Sequence, residues 1–249
     1  MKNISSKKAS DKLIFALDAN DYEEALSWIE LLSSHVGMFK VGNELFTAVG
    51  PKIIQDIKER SQKVFLDLKF HDIPNTVARA AEAAVRLNVD MFNVHASGGS
   101  QMIKEAVSAA RSRSVELGKA RPVLLAVTVL TSLNNDDLKE IGFQKSTSEL
   151  VLHLAELAKT AGASGVVASA QDIEMSKKKF GDQFIVVTPG IRSVDEDKKD
   201  DQKRTLSAYE AVKAGADYIV VGRPIRMAQE PLKVCREIVE EIAEGLLAI

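Results

Sequence analysis

The chain has one cysteine, one tryptophan and six prolines in 249 residues, and aromatic residues make up only 5% of it. A lone Cys235 excludes a disulfide within the chain, and no Cys/His spacing of the zinc-site kind accompanies it. Long apolar runs are missing too: none approaches the ~20 residues that a helix needs to cross a bilayer. Residues 1–10 (MKNISSKKAS) are polar and lack the apolar centre of a signal peptide, so a cytoplasmic protein is expected. The formal net charge is only −2, which offers no general attraction to nucleic acid or to an anionic membrane. A small anionic substrate stays open, because it needs only a local positive site. No Gly-x-Gly-x-x-Gly follows the first apolar run, which removes the usual dinucleotide signature of an open doubly wound sheet.

What the chain does have is alternation. Hydrophobic residues at 45% and charged residues at 27% are ordinary for a soluble globular protein. The apolar, β-branched runs predict strands at Leu13–Asp18, Met38–Val41, Val64–Leu68, Met91–His95, Pro122–Leu130, Gly165–Ser169, Phe184–Thr188 and Tyr218–Val221. Helical patterns lie between them, for example Tyr22–Leu32, Glu44–Glu59, Val77–Leu87, Gln101–Leu117, Ser148–Ala161 and Leu206–Ala214, and a last one, Leu232–Leu247, follows. Strands alternating with helices imply right-handed βαβ units and a parallel sheet. The apolar runs are continuous, so both faces of those strands are covered. Eight such units in a chain of the usual ~250-residue size predict a single-domain (β/α)8 TIM barrel over residues 11–249, behind a polar tail at 1–10.

A barrel of this kind carries its chemistry at the carboxyl ends of its strands. Those ends hold Asp18, Lys40-Val41-Gly42, Asp67 with Lys69, Asn93 with His95, Thr128 with Leu130-Thr131-Ser132, Thr188-Pro189-Gly190-Ile191-Arg192 and Gly222-Arg223-Pro224. Polar groups at nearly every strand end mark a working face. Loops after the seventh and eighth strands often bind phosphate through backbone N–H groups and helix starts. Here they carry Arg192 and Gly222-Arg223. Arginine supplies a planar fork matched to phosphate oxygens, and Gly222 permits close backbone approach. The charged segment 193–204 (SVDEDKKDDQKR) is expected to be a lid over that phosphate, with Gln202 as its uncharged contact.

The densest cluster is Asp67-Leu68-Lys69-Phe70-His71-Asp72-Ile73-Pro74-Asn75-Thr76. It puts two carboxylates and an ammonium just beyond a buried strand, with Pro74 opening the next helix. Asp67 and Lys69 are two apart, so in an extended chain they point to one side. His71 and His95 are expected to fill space.

The Asp-x-Lys-x-x-Asp-Ile-Pro-Asn-Thr run closely resembles the signature of the orotidine 5′-phosphate decarboxylase family, whose reaction completes pyrimidine-nucleotide synthesis. Phe15-Ala16-Leu17-Asp18, Phe39-Lys40-Val41-Gly42, Val127-Thr128-Val129-Leu130-Thr131-Ser132, Val187-Thr188-Pro189-Gly190-Ile191-Arg192 and Val221-Gly222-Arg223-Pro224-Ile225 resemble further family motifs, in family order. The resemblance implies that Lys69 donates a proton to C6 of the pyrimidine and that Asp67 faces the departing carboxylate. It implies that Asp18, Lys40 and Thr76 hold the ribose and that Thr131 meets the pyrimidine edge. Pro189 would line the substrate site. Gln202, Gly222 and Arg223 would bind phosphate, with Arg192 near that end. Asp72 would come from the neighbouring subunit of a homodimer with shared active sites. No metal and no cofactor is implied. Two other readings compete. One is a magnesium-dependent 3-keto-gulonate 6-phosphate decarboxylase or hexulose-phosphate synthase, which shares Asp-x-Lys-x-x-Asp but lacks the Ile-Pro-Asn-Thr continuation. The other is a non-catalytic nucleotide-binding barrel, which an intact Asp67, Lys69 and Asp72 argue against.

Overall fold

The structure, a computed structural model, describes residues 6–191 and 206–249. Eight parallel strands form a closed ring in sequence order: β1 (Leu13–Ala16), β2 (Met38–Gly42), β3 (Val64–Phe70), β4 (Met91–His95), β5 (Val123–Val127), β6 (Gly165–Val167), β7 (Ile185–Pro189) and β8 (Tyr218–Val221). Pairing of β1 with β8, Leu13 opposite Ile219, closes it. Around the ring run α1 (Ser6–Ser10), α2 (Tyr22–Leu32), α3 (Asn43–Val49), α4 (Lys52–Glu59), α5 (Pro74–Arg86), α6 (Gly99–Glu116), α7 (Asn135–Glu140), α8 (Thr147–Thr160), α9 (Ile173–Phe180), α10 (Ala208–Lys213), α11 (Arg223–Arg226) and α12 (Pro231–Leu247). This is the expected (β/α)8 barrel. No helix among the described residues is long and apolar enough to cross a membrane.

Strand alternation makes two cores. Ile14, Ala16, Met38, Phe65, Met91, Leu125, Val187 and Val220 pack together inside the ring. Their neighbours in sequence, such as Phe15, Phe39, Leu66 and Phe92, point outward and pack with Ile29, Ile54 and Ile103 of the helices. Continuous apolar strands are the sequence signature of this double burial.

Some elements differ from expectation. The pattern 44–59 is two helices, because Gly50 takes a left-handed φ of +71° and Pro51 follows it. Residues 6–10 are not simply a polar tail. They form α1, packed against α12 with Ala9 fully buried. The short α7 is held by a capping box, in which Asn134 and Asp137 each bond the other's backbone N–H. Cys235 is buried in α12, where burial pushes its thiol up to about 11, so it is no nucleophile at neutral pH.

The amino-terminal face of the barrel is tied by a device that recurs four strands apart. Asp90, just before β4, accepts the Val64 N–H of β3 at 2.8 Å and the Lys58 ammonium of α4 at 2.7 Å. Asp217, just before β8, accepts the Val186 N–H of β7 at 2.8 Å and the Lys177 ammonium of α9 at 2.7 Å. Each carboxylate joins a strand start to the helix that precedes that strand. Asp217→Ala would take away the charged partner of the Lys177 ammonium, whose side chain is 11% exposed, and leave it only the Asp182 and Phe184 carbonyls. Loss of these charged hydrogen bonds should cost roughly 2–3 kcal/mol, which at this chain length lowers Tm by about 5–10 °C. Thermal unfolding followed by circular dichroism checks it, and kcat should not change because the pair sits at the end away from the carboxyl ends of the strands. A Tm shift below about 1 °C would show that the pair is not holding the strands together.

Candidate active site

Two residues further along three of the inward-facing strand positions, the barrel interior changes from apolar to polar. Met38, Phe65 and Met91 are succeeded by Lys40, Asp67 and Asn93. Asp67 is 8% exposed and Asn93 1%, so both need partners. Asp67 has several. Its Oδ1 accepts from Lys69 Nζ at 2.8 Å and from Asn93 Nδ2 at 2.7 Å, and its Oδ2 lies 3.4 Å from Lys40 Nζ. Lys40 Nζ is also 3.4 Å from Asp18 Oδ1, just beyond β1. The result is a row of alternating charge: Asp18, Lys40, Asp67, Lys69.

The electrostatics favour the ionised row. Burial works against the Lys40 ammonium, but the Asp67 and Asp18 carboxylates outweigh it and hold its pKa above the ordinary lysine value. Burial likewise works against the Asp67 carboxylate. Lys40 first and Lys69 second, with hydrogen bonds from Lys69 and Asn93, hold it below the ordinary aspartate range. The Asp67 charge is therefore present at neutral pH and is lost only in acid, below the ordinary aspartate pKa.

Lys69 reaches Asp67 by an irregular route. Its φ is +51°, in the left-handed region, and the β3–β4 register shifts between Leu66 and Phe70. Simple alternation predicts the Asp67–Lys69 pairing correctly but not the bulge that makes it. The displaced Lys69 N–H donates to Asn93 Oδ1 at 2.8 Å.

The row opens into a cavity of about 330 Å³ at the carboxyl ends of the strands. Asp18, Lys40, Asp67, Lys69, Thr131, Pro189, Gly222 and Arg223 all line it, so the structure brings these eight candidate residues together. Its apolar wall includes Ala16, Phe65, Val127, Val167 and Val220. Gly222 lets the ends of β8 and β1 approach closely: a Cβ there would stand 3.1 Å from the Ala16 Cβ, a tight contact, and 3.5 Å from Asp18 Oδ2. A volume of this size suits a small ligand held by a few polar groups.

Residues 11–238 match the family described as "Orotidine 5′-phosphate decarboxylase / HUMPS family". The chain belongs to this family. It is 53% identical over 248 residues to the orotidine 5′-phosphate decarboxylase of Syntrophus aciditrophicus (strain SB), covering 99% of each chain. It is 47% identical over 242 residues to that of Citrifermentans bemidjiense, covering 97% of this chain and 100% of the relative. Among solved structures, orotidine 5′-phosphate decarboxylase from Lactobacillus acidophilus superposes with a TM-score of 0.80 at 38% identity, covering 92% of this chain and 98% of that one.

Not every candidate of the orotidine 5′-phosphate decarboxylase signature reaches the cavity of its own chain. Asp72 and Thr76 are exposed beyond β3 and do not line it. Asp72 Oδ1 accepts the Ile73 N–H at 2.6 Å, and the Ile73 side chain beside it is 67% exposed. Arg192, Gln202 and the 193–204 segment expected as a lid lie outside the described residues. His71 and His95 stand with ring centres 5.5 Å apart and do not line the cavity. Burial, then His71 and Lys69, lower the His95 pKa. Thr128 is turned away from the cavity, its hydroxyl donating to the Val167 carbonyl at 3.1 Å. Among the described residues of this family member, no group of three or more His, Cys, Asp or Glu side chains gathers as metal ligands do. Lys40 stands between the two cavity carboxylates, Asp18 and Asp67.

Proposed function

We propose that this chain is a cytoplasmic enzyme that decarboxylates orotidine 5′-phosphate to uridine 5′-phosphate, with Lys69 as the proton donor to C6. The observation that carries the reading is the Asp18–Lys40–Asp67–Lys69 row inside a cavity rimmed by Gly222 and Arg223. In the reaction the C6–carboxylate bond breaks and neutral CO2 leaves. Its electron pair stays on C6 in an sp² orbital in the ring plane, where the ring π system cannot delocalise it. A fixed positive charge beside C6 stabilises that pair, and the Lys69 ammonium both supplies it and donates the proton that forms C6–H. Water then restores the ammonium.

Asp67 acts on the other side of the ledger of charge. Beside the substrate carboxylate at about 4 Å it repels it by roughly 4 kcal/mol at an effective dielectric near 20. Departure of neutral CO2 relieves that repulsion. Phosphate contacts remote from C6 offset the cost of bringing the two carboxylates together. In this reading Asp18 and Lys40 hold the ribose, Thr131 meets the pyrimidine edge and Pro189 lines the base site. Gly222 and Arg223 bind phosphate, with Arg192 and Gln202 as further phosphate contacts.

Thr76 and Asp72 serve the site of a partner subunit in a homodimer. Their exposure away from their own cavity, beside the exposed apolar Ile73, supports that arrangement. The chemistry needs no metal and no cofactor, since the charges are those of side chains. The test is loss of orotidine 5′-phosphate absorbance in buffer containing a chelator. Turnover unchanged by the chelator is expected, whereas a magnesium-dependent enediolate enzyme would stop.

Arg223→Ala should weaken phosphorylated ligands selectively. Loss of a charged hydrogen bond to phosphate costs roughly 1.5–3 kcal/mol, or about 10- to 150-fold in affinity. Titration of uridine 5′-phosphate and uridine into both proteins measures it. Equal weakening of the two ligands would remove Arg223 from the phosphate site.

A further inference from the structure

We infer that Asn93 is a positioning residue for the decarboxylation: its one amide sets both the Asp67 carboxylate and the Lys69 main chain. The inference rests on the function proposed above and adds a residue to it. Asn93 occupies an inward position on β4 whose neighbours Met91, Phe92 and Val94 are apolar and buried. An amide there costs stability unless every polar atom is matched. Both ends are matched, in one orientation only. The Lys69 N–H is a donor, so Oδ1 must face it at 2.8 Å; that leaves Nδ2 to donate to Asp67 Oδ1 at 2.7 Å.

The Lys69 bond matters because the backbone there is unfavourable. A non-glycine residue in the left-handed region is disfavoured by about 1–2 kcal/mol, and Lys69 sits there at φ +51°. The register shift between Leu66 and Phe70 takes its N–H out of the ordinary strand ladder. Asn93 supplies the acceptor from its side chain and so holds the bulge. The bulge in turn aims Lys69 Nζ at Asp67 Oδ1, the same oxygen that Asn93 fixes. Asn93 does not itself line the cavity. Its removal should therefore spare nucleotide binding and misplace the reacting pair.

The groups facing Asp67 are Lys40 from β2, Lys69 from β3 and, further off, His95 from β4, with Asp18 beyond Lys40. An Asn93→Asp change keeps the shape and the acceptor for Lys69 but turns a carboxylate oxygen toward Asp67. Two carboxylates at that distance cannot both ionise readily and come to share a proton as pH falls. The shared proton rebuilds the lost hydrogen bond.

The test compares wild type, Asn93→Ala and Asn93→Asp in turnover of orotidine 5′-phosphate and in binding of uridine 5′-phosphate. Asn93→Ala is expected to lose about 10²-fold in kcat, the effect of a misplacement of about 1 Å, with KM and nucleotide affinity within about threefold. Asn93→Asp is expected to lose kcat near pH ~8 and to regain part of it toward pH ~6, relative to wild type at each pH. That comparison cancels the pH dependence that wild type and variant share and leaves the effect of the change at position 93. Wild-type kcat in Asn93→Ala, kcat and nucleotide affinity falling together, or an Asn93→Asp profile parallel to wild type would each overturn the inference. Should Asn93→Ala fail to fold, the isosteric Asn93→Asp profile decides alone. An inactive wild type would overturn the proposed function and this inference with it, whereas an active wild type matched by its variants would overturn the inference alone.

Discussion

Lys69→Ala is expected to lower kcat by at least about 10²–10³-fold, the scale seen when one group that stabilises a developing anion is removed. The fold should survive. Asp67 would keep Lys40 and the Asn93 amide as partners, and no apolar core contact depends on the lysine. Binding of uridine 5′-phosphate should stay near wild type, because the carbanion that Lys69 stabilises forms only on the way to product. Steady-state kinetics beside a nucleotide titration separate the two effects. Retention of more than about a tenth of kcat, a loss under ~1.4 kcal/mol, would remove Lys69 as the proton donor.

The second large effect is a recovery. Lys69→Ala and Asp72→Asn chains should each be nearly inactive alone. If Asp72 completes the partner's site, each site takes Lys69 from one chain and Asp72 from the other. A mixed dimer then collects both defects in one site and leaves the other wild-type. Random refolding makes about half the dimers mixed, so a closed two-fold dimer should recover about a quarter of wild-type activity. The variants are denatured, refolded together and assayed against each refolded alone. No recovery, with mixed dimers confirmed by mass spectrometry of differently tagged chains, would assign Asp72 to its own chain's site. The barrel and the Lys69 chemistry would stand, and the shared site would not.

The barrel was legible because its strands are buried on both faces and its helices on one. β4, β8 and α2 lie where the sequence pattern put them, down to their first and last residues. The break between α3 and α4 was also written in the chain, as Gly50-Pro51, but an otherwise continuous amphipathic pattern hid it. The α7 helix is held by its cap rather than by a long periodic stripe, so periodicity passed over it. In the site, Asp18, Lys40, Asp67 and Lys69 were legible as charges at strand ends. The left-handed backbone of Lys69 was not, since neither lysine nor its neighbours mark a bulge. Asn93 left one signal, an amide at an inward position of an apolar strand. The exposure of Asp72 and Thr76 depends on where the chain turns after β3, which residue type does not determine.

The most direct test of Lys69 as the C6 proton donor runs the proton transfer without decarboxylation. Uridine 5′-phosphate bound to wild-type protein in D2O should exchange its C6 hydrogen for deuterium. The neutral Lys69 amine left after protonation of C6 takes that proton back in reverse, and the resulting ammonium exchanges with D2O before C6 is protonated again. Loss of the C6 proton resonance, followed by NMR, gives the rate. The account predicts exchange with wild type and only the rate of plain buffer with Lys69→Ala. Equal rates in the two proteins would contradict it.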